Sequence, residues 1–287
     1  MIPAKFGYVR PTSLADAIAA LAGNGEDAKV IAGGQSLIPL LRLRLTDTGL
    51  LVDIGRLEEL RDVVDEGATL RIGALTTHYE LVHDPLIAEH CGLIAAAAAT
   101  VADPAVRHRG TFGGSLAHAD AAGDLPAVAV ALDAVVLASG PAGEREIPAA
   151  GFFADYLTTT LAADEIVTGI RVPKLGASGG WGYRYEKFHR TAQAWAIVGV
   201  AAAVRRGNGQ VTEARVGLTN MGMVPVRATA VEAAAAGAPA TAEALQQAAS
   251  HAGDGGDPPS DLNGSPEYRR HLARVLTGRA LAAAAGL

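Results

Sequence analysis

Two paired-glycine loops restrict the fold of this chain more than any other feature. The first loop covers residues 32–37 (AGGQSL), and the second covers residues 109–115 (RGTFGGS). Gly113 and Gly114 have no Cβ, so their backbone can take left-handed conformations and point successive N–H groups at an anion. Thr111 and Ser115 add further donors on either side. The sequence therefore predicts a nucleotide-binding cradle in which both loops hold one diphosphate.

The first glycine pair directly follows a predicted strand at residues 29–31, where an α/β layer usually has a ligand-facing loop. The dinucleotide fingerprint with glycines at positions one, three and six is missing from the sequence, and so is the phosphate loop that ends in Gly-Lys-Ser/Thr. These absences disfavour a nicotinamide-binding doubly wound domain and a P-loop enzyme.

The composition is that of a globular protein without a nucleic-acid or anionic-membrane partner. Hydrophobic residues make up 49% of the chain, charged residues 19%, and the net charge is −6. There is no block of lysine and arginine. The longest apolar runs fall short of the roughly 20 residues that a membrane-spanning helix needs. The first residues lack the apolar segment of a signal peptide, so we expect a cytoplasmic protein with no transmembrane segment.

Cys91 is the single cysteine. One thiol cannot form an internal disulfide, a cysteine zinc site or the thiolate cage of an iron–sulfur cluster. A catalytic role for Cys91 is conceivable, but the apolar residues 92–94 and the alanine run after them favour a buried, inert side chain.

The pattern of apolar residues and turns predicts three units. We expect an N-terminal α/β lobe at residues 1–58, a second α/β lobe at 59–175 and a C-terminal α+β domain at 176–287, with a glycine-rich linker at 176–180. Predicted helices lie at 14–22, 76–81, 86–102, 125–132, 227–236, 243–249 and 266–285, with a further loop and helix at 147–161. Predicted strands lie at 29–31, 50–54, 63–64, 70–74, 134–138, 166–172, 181–188, 195–205 and 211–218.

Three polar residues after the second loop have more than one interpretation. His118, Asp120 and Asp124 have a spacing that metal ligands can have, but no second histidine stands at helical spacing. The favoured alternative is that Asp124 hydrogen-bonds the ribose or ring of a ligand, or caps a helix that begins at Pro126. We expect no catalytic residue and no metal ligand in this chain.

With these motifs, the chain resembles the FAD-binding medium subunit of molybdenum hydroxylases, the group that includes aerobic carbon monoxide dehydrogenase and the flavin module of xanthine dehydrogenase. The first loop, with residues 42–45 and 52–54 behind it, is similar to the family's first FAD motif. The second loop, with Asp120 and residues 124–126, is similar to the other motif. Similar residues also stand at 152–153, 163–165, 185–188, 225–228 and 268–281, so the resemblance covers essentially the whole chain.

The resemblance implies an α+β fold: a two-lobed FAD-binding domain of the vanillyl-alcohol-oxidase (PCMH) type plus a small C-terminal α+β domain. It implies that the diphosphate and ribityl chain bind at Ala32, Gly33, Gly34, Gln35, Ser36, Leu37, Thr111, Gly113, Gly114 and Ser115. It further implies that Lys29 and Val101 lie along the nucleotide. Asp124 would hydrogen-bond the cofactor, and Lys187 and Trp195 would approach the flavin ring. The chain departs from the family's usual residues at His108, Phe112, Ala121 and Ala194.

The function implied is that of an electron-transfer subunit. Its non-covalent FAD would take electrons from the 2Fe-2S clusters of a small partner subunit and pass them to an external acceptor. A molybdenum-cofactor large subunit would oxidise the substrate, in a dimer of heterotrimers. The alternative is a standalone FAD-dependent oxidase or monooxygenase. Two variants test the site: Gly114→Val should block FAD binding, and Lys187→Ala should lower the flavin's reduction potential with FAD occupancy mostly retained.

Overall fold

The N-terminal part of the chain forms a small parallel sheet. A computed structural model describes residues 2–175 and 179–287. The strands β1 (Gly7–Val9), β2 (Ala28–Ile31) and β3 (Leu50–Asp53) pair in the order β1-β3-β2, with the helices α1 (Leu14–Ala22) and α2 (Leu37–Leu43) between them in the chain. The predicted start of α1 is confirmed, because the Ser13 side chain accepts a hydrogen bond from the N–H of Asp16. Helix α1 buries Ala17 and Leu21 in a cluster with Val52.

A five-stranded antiparallel sheet follows, together with a two-stranded ribbon. The strands are β4 (Val63–Asp65), β5 (Thr69–Gly73), β6 (Val135–Gly140), β7 (Gly143–Pro148), β8 (Phe153–Asp155), β9 (Thr158–Thr159) and β10 (Ile166–Pro173). The sheet has the order β4-β5-β10-β6-β7, and β8 pairs with β9 in the ribbon. The helices are α3 (His78–His83), α4 (Pro85–His90), α5 (Gly92–Ala98), α6 (Pro104–Arg107), α7 (Phe112–His118), α8 (Asp124–Ala131) and α9 (Ala149–Phe152). The α/β character predicted for this lobe needs correction, since short hairpins join β4 to β5 and β6 to β7 and make these pairs antiparallel.

The long alanine-rich helix predicted at 86–102 is wrong, because the chain breaks at Cys91. This residue has φ −139° and ψ 38°, outside the helical region, and it separates α4 from α5. The break brings the Gly92 backbone against the Tyr183 ring, where an added Cβ would lie 2.5 Å from Cζ. Cys91 itself is fully buried, and burial raises the pKa of its thiol to about 12. The prediction that Cys91 is buried is therefore confirmed.

The C-terminal part is an antiparallel sheet covered by helices. Its strands β11 (Trp181–Phe188), β12 (Val198–Gly207), β13 (Gln210–Thr219) and β14 (Val226–Arg227) pair in that order. The helices are α10 (Thr229–Ala235), α11 (Ala242–Ala249) and α12 (Pro266–Ala284). Strand β12 begins three residues later than predicted, which leaves Trp195 in the preceding loop.

Strand β12 is buried on both faces, and this joins the C-terminal sheet to the second lobe. Val200 and Val204 pack into the cluster with α11 and α12, whereas Ala201 and Ala203 pack into the core of the second lobe. The approach is close, since a Cβ on Gly217 of β13 would lie 3.0 Å from the carbonyl carbon of Ala127 in α8. The small side chains on this face let α8 contact the sheet.

The domain boundaries at 58 and 175 stay predictions. Residues 176–178 of the predicted linker lie outside the described residues. No helix in the described parts of the chain is long and apolar enough to cross a membrane.

Candidate functional site

The structure brings the two glycine loops into direct contact. The first loop joins the end of β2 to the start of α2, and Gly33 lies against the backbone of Arg109 in the second loop. A Cβ on Gly33 would be 2.7 Å from the carbonyl carbon of Arg109 and closer still to its oxygen. Gly34 has φ +74°, in the left-handed region that favours glycine. Both glycines are therefore required by the geometry of the junction.

The first loop presents a row of backbone donors. Within residues 2–175 and 179–287, the N–H groups of Gly33, Gly34, Gln35 and Ser36 donate to no protein acceptor. The carbonyl of Gly34 instead accepts from the N–H of Ile38, which starts the helical turn. Successive unpaired N–H groups in a turn form a concave site that favours an anion. This loop has the donor set that a diphosphate requires.

The second loop differs from the prediction. Gly113 and Gly114 are not left-handed but lie in the first turn of α7. Their N–H groups are already used, because Gly113 donates to the carbonyl of Ala74 (2.9 Å) and Gly114 donates to Thr111 Oγ1 (3.1 Å). Gly113 is required for packing, since an added Cβ would lie 2.5 Å from the Cβ of Ala74. Gly114→Val would displace the Thr111 hydroxyl, 2.6 Å from the new Cβ, and thereby remove the helix cap.

A cleft of about 350 Å³ opens where the loops meet. Ala32, Gly33 and Thr111 line it together with Arg109, the first residue of the second loop, and with Tyr79, which no sequence motif indicated. The Tyr79 ring is stacked between His83 and His108, with centroid distances of 4.2 and 4.1 Å. Arg109 has a sequence signal, since it directly precedes Gly110 and Thr111 of the loop. Arg109 therefore belongs to both the loop junction and the lining of the cleft.

His78 lies beneath the second loop. The backbone N–H of His78 donates to the carbonyl of Gly110 (2.9 Å). The His78 ring also lies close to Gly110, because a Cβ added at Gly110 would be 2.8 Å from Cδ2 of the ring. Burial, assisted by the nearby Arg107 charge, lowers the pKa of His78 to about 4. The neutral ring therefore supports the loop at neutral pH.

We expect His78 to make the chain acid-labile. A histidine with a pKa of about 6.5 when unfolded and about 4 when folded binds protons preferentially in the unfolded state. Its contribution to stability is thus complete above pH 6.5 and is lost as the pH falls to 4, where the loss reaches about 3 kcal/mol. Urea unfolding at pH 7 and pH 5 should show about 2 kcal/mol of this loss in the wild type and less of it in His78→Phe. The control is the same substitution at the exposed residue His271, which should keep the pH dependence of the wild type. A pH dependence in His78→Phe equal to that of the wild type would contradict the assignment to His78.

A buried polar network lies where α8 meets β11. Lys187 Nζ and Asp124 Oδ2 form an ion pair at 2.7 Å, with side chains only 3% and 4% exposed. The Tyr185 hydroxyl donates to Asp124 Oδ1 (2.6 Å), and Lys187 also donates to the carbonyl of Thr100 (3.2 Å). Burial raises the pKa of Asp124, while the two donors oppose that shift and stabilise the carboxylate. This network ties the C-terminal sheet to the second lobe.

The structure corrects the interpretation of Asp124 as a helix cap and adds Tyr185 to the site. Asp124 does not cap a helix that begins at Pro126, because α8 begins at Asp124 and its N-cap is Gly123. Tyr185 was missed as a site residue. Its signal is the strand alternation that places residues 185 and 187 on the same face of β11.

The remaining predicted residues lie around these groups. Val101 follows Thr100, so it is adjacent to the carbonyl that Lys187 contacts. Trp195 is half-exposed, and its ring centroid lies 6.5 Å from that of His118. Lys29 is an exposed residue of β2, and Ser115 is part of α7. The predicted residues of the two glycine loops therefore lie together, Asp124 and Lys187 form the network with Val101 adjacent to it, and Trp195 lies beside His118.

The chain matches two protein families over consecutive segments. Residues 4–175 match the FAD binding domain in molybdopterin dehydrogenase, and residues 183–284 match the CO dehydrogenase flavoprotein C-terminal domain. The fold is thus an α+β fold with a two-lobed FAD-binding domain and a small C-terminal domain.

Known proteins share this arrangement over their whole length. The carbon monoxide dehydrogenase medium chain of Hydrogenophaga pseudoflava is 39% identical over 284 residues, which are 99% of this chain and 98% of that one. A 6-hydroxypseudooxynicotine dehydrogenase complex subunit alpha from Paenarthrobacter nicotinovorans is 38% identical, over 99% of this chain and 96% of that one. A solved carbon monoxide dehydrogenase from H. pseudoflava, which lacks the Mo-pyranopterin moiety of the molybdenum cofactor, superposes with a TM-score of 0.95 at 42% identity, covering 99% of this chain and 98% of that one.

Together the fold and the loops define an FAD-binding flavoprotein. The chain belongs to the family of FAD-binding medium subunits of molybdenum hydroxylases, the carbon monoxide dehydrogenase and xanthine dehydrogenase type of oxidoreductase. The cofactor is FAD, and the free N–H groups of the first loop fit its diphosphate.

Proposed function

We propose that this chain is an electron-transfer subunit that takes electrons from the 2Fe-2S clusters of a partner and passes them to an external acceptor. FAD supplies the redox chemistry, since flavins exchange one or two electrons. The chain's own residues bind and orient it. The observation that carries the proposal is the row of four N–H groups at Gly33–Ser36 that have no acceptor in the described parts of the chain, at the junction of the two glycine loops.

Different residues of the chain bind different parts of FAD. Backbone N–H groups of residues 33–36 bind the diphosphate, and Thr111 and Ser115 add hydroxyl groups. Lys29 and Val101 lie along the nucleotide. Asp124, held by Tyr185 and Lys187, accepts a hydrogen bond from the cofactor, and Trp195 covers the ring.

The hydrogen bonding of Asp124, Lys187 and Tyr185, the titratable groups at the proposed site of the flavin ring, favours electron transfer over substrate oxidation. A substrate oxidase needs a general base that can take a proton from the substrate at the reacting atom. Asp124 and Lys187 are paired with each other, and Tyr185 already donates to Asp124. Burial raises the pKa of Tyr185 well above its usual value, so its hydroxyl stays protonated. This arrangement can orient a cofactor, and the three side chains keep their protonation states while they do so.

The proposal includes the partners. We propose a complex with a 2Fe-2S small subunit and a molybdenum-cofactor large subunit, assembled as a dimer of heterotrimers in the cytoplasm. The support is that similar proteins are named as a medium chain and as a subunit of a dehydrogenase complex.

The test compares the chain alone with the chain produced together with the products of its own operon. The lone chain should bind one FAD, with the visible bands of a flavin, and should not turn over candidate substrates. In the complex, substrate should reduce the flavin under anaerobic conditions. A lone chain that oxidises a substrate at the rate of the complex would instead establish the standalone oxidase or monooxygenase. Native mass spectrometry gives the subunit composition.

A further inference from the structure

Trp195 lies on the segment of residues 189–197 that joins β11 to β12, and we call this the Trp195 segment. The N–H of Ile197 donates to the carbonyl of Phe188 (2.8 Å), and this bond closes the base of the segment. The guanidinium of Arg269, a fully buried residue of α12, donates to the carbonyl of Ile197 (2.5 Å). The base of the Trp195 segment is therefore fixed to the C-terminal domain.

Beyond its base, the Trp195 segment has few attachments. In the described parts of the chain, residues 190–196 make two hydrogen bonds to the rest of the protein. Gln193 Nε2 donates to a carboxylate oxygen of Asp103, and Asn220 Nδ2 donates to the carbonyl of Ala196 at 2.8 Å. The Trp195 side chain is 53% exposed, so about half of its surface has no packing contact. The bond from Asn220 thus restrains the residue next to Trp195.

Asn220 also contacts the second lobe. Its backbone N–H donates to the carbonyl of Ala121 (2.7 Å), in the segment of residues 119–123 that joins α7 to α8. The preceding residue, Thr219, is fully buried, and its hydroxyl donates to the carbonyl of Gly123 (3.4 Å). The end of β13 is therefore bonded twice to the segment that precedes α8.

The backbone conformation explains why an asparagine stands at this position. Asn220 has φ +61°, in the left-handed region. Asparagine enters this region at lower cost than most residues, because its short polar side chain hydrogen-bonds locally. Glycine would suit the backbone equally well, but it has no amide that could donate to Ala196. One residue thus directs its N–H and its side-chain amide at two different segments.

We infer that Asn220 is a positioning residue that holds Trp195 against the flavin ring, an inference that rests on the proposed function. In that function Asp124, the first residue of α8, accepts a hydrogen bond from the cofactor, and Trp195 covers the ring. Asn220 bonds to the segment before Asp124 and to the residue after Trp195, so it limits the separation of these two groups. It acts through Trp195 rather than by contact with the cofactor.

The emission of bound FAD tests this inference. An indole in contact with a flavin quenches the flavin's fluorescence by electron transfer, so the emissive fraction reports the molecules in which Trp195 lies away from the ring. Asn220→Gly keeps the left-handed backbone and the bond to Ala121, and it removes the amide. Loss of this one hydrogen bond should raise the emissive fraction about 5-fold. Time-resolved fluorescence of the FAD-saturated full chain measures that fraction.

Three further variants make the test specific. Asn208→Gly is the matched control, because Asn208 also has a positive φ (+51°) but lies in the turn between β12 and β13; it should leave the emission unchanged. Trp195→Phe should raise the emission further than Asn220→Gly does. In the Trp195→Phe background, Asn220→Gly should have no additional effect, since both residues act through one contact. Asn220→Asp should reproduce Asn220→Gly, because a carboxylate cannot donate to the Ala196 carbonyl.

The outcomes separate this inference from the proposed function. Wild-type emission in folded Asn220→Gly, or in Asn220→Asp if the glycine variant does not fold, overturns the positioning role. An equal rise of emission in the Trp195→Phe background also overturns it, because the effect would then not pass through Trp195. Wild-type emission in Trp195→Phe would place the indole away from the flavin and overturn the inference as well. A lone chain that oxidises a substrate while all variants emit as expected would contradict the electron-transfer function alone.

Discussion

Gly33→Ala is expected to weaken FAD binding at least ~100-fold, since misplacing binding groups by about 1 Å has effects of that size. The new Cβ would lie 2.7 Å from the carbonyl carbon of Arg109 and closer still to its oxygen, so one loop must move away from the other. Backbone atoms cannot rotate aside as a flexible side chain does. The N–H groups of residues 33–36, which donate to no acceptor in the described parts of the chain, would then shift relative to the second loop. Titration of the apoprotein with FAD, followed by flavin fluorescence, measures the loss.

Gly151→Ala is the matched control for this substitution. Nothing lies within 4 Å of a Cβ at Gly151, and the residue has no positive φ. It should bind FAD with wild-type affinity. Urea unfolding of the Gly33→Ala apoprotein shows whether the chain still folds. A folded Gly33→Ala with unchanged affinity would mean that the loop junction does not hold the diphosphate.

Lys187→Ala is expected to destabilise the fold by about 3–5 kcal/mol, because it leaves a buried carboxylate without its cation. The Asp124 side chain is 4% exposed, so bulk solvent does not stabilise the carboxylate that remains. The Tyr185 hydroxyl remains as one donor. Urea unfolding of the apoprotein measures this effect. Asp124→Asn/Lys187→Met removes both charges and should recover most of the loss; a single variant as stable as the wild type would contradict the ion pair.

The same variants test whether the Lys187–Asp124 pair lies beside the flavin ring. Lys187→Ala removes a cation, and this cation is paired with Asp124 at 2.7 Å. The single variant therefore leaves a net negative charge if Asp124 stays ionised, which disfavours the anionic reduced flavin. We expect a lower potential in Lys187→Ala and a potential near that of the wild type in the double variant. Redox titration of FAD-saturated samples distinguishes them, and unchanged potentials throughout would place the pair away from the ring.

Local sequence rules predicted the parts of this fold in which neighbours along the chain decide the outcome. The cap at Ser13 is a contact over three residues, and the strand before the first glycine loop and the strands β11 and β13 follow the local pattern of apolar residues and turns; all lie within one residue of their predicted positions. The alanine-rich segment failed at Cys91, because helix propensity is a weak force that tertiary packing overrides. There the Tyr183 ring lies against the Gly92 backbone.

The candidate site divides in the same way. From the sequence alone, the two glycine loops, the FAD family and the residues Asp124 and Lys187 could be selected. Only the tertiary structure decided what those residues do: Gly33 meets Arg109 across 76 positions of the chain, Gly113 packs on Ala74 rather than donating to an anion, and Asp124 pairs with Lys187 and Tyr185. The physical reason is that a hydrogen bond or an ion pair depends on distances of about 3 Å, which side chains far apart in sequence reach only after the sheets and helices have packed.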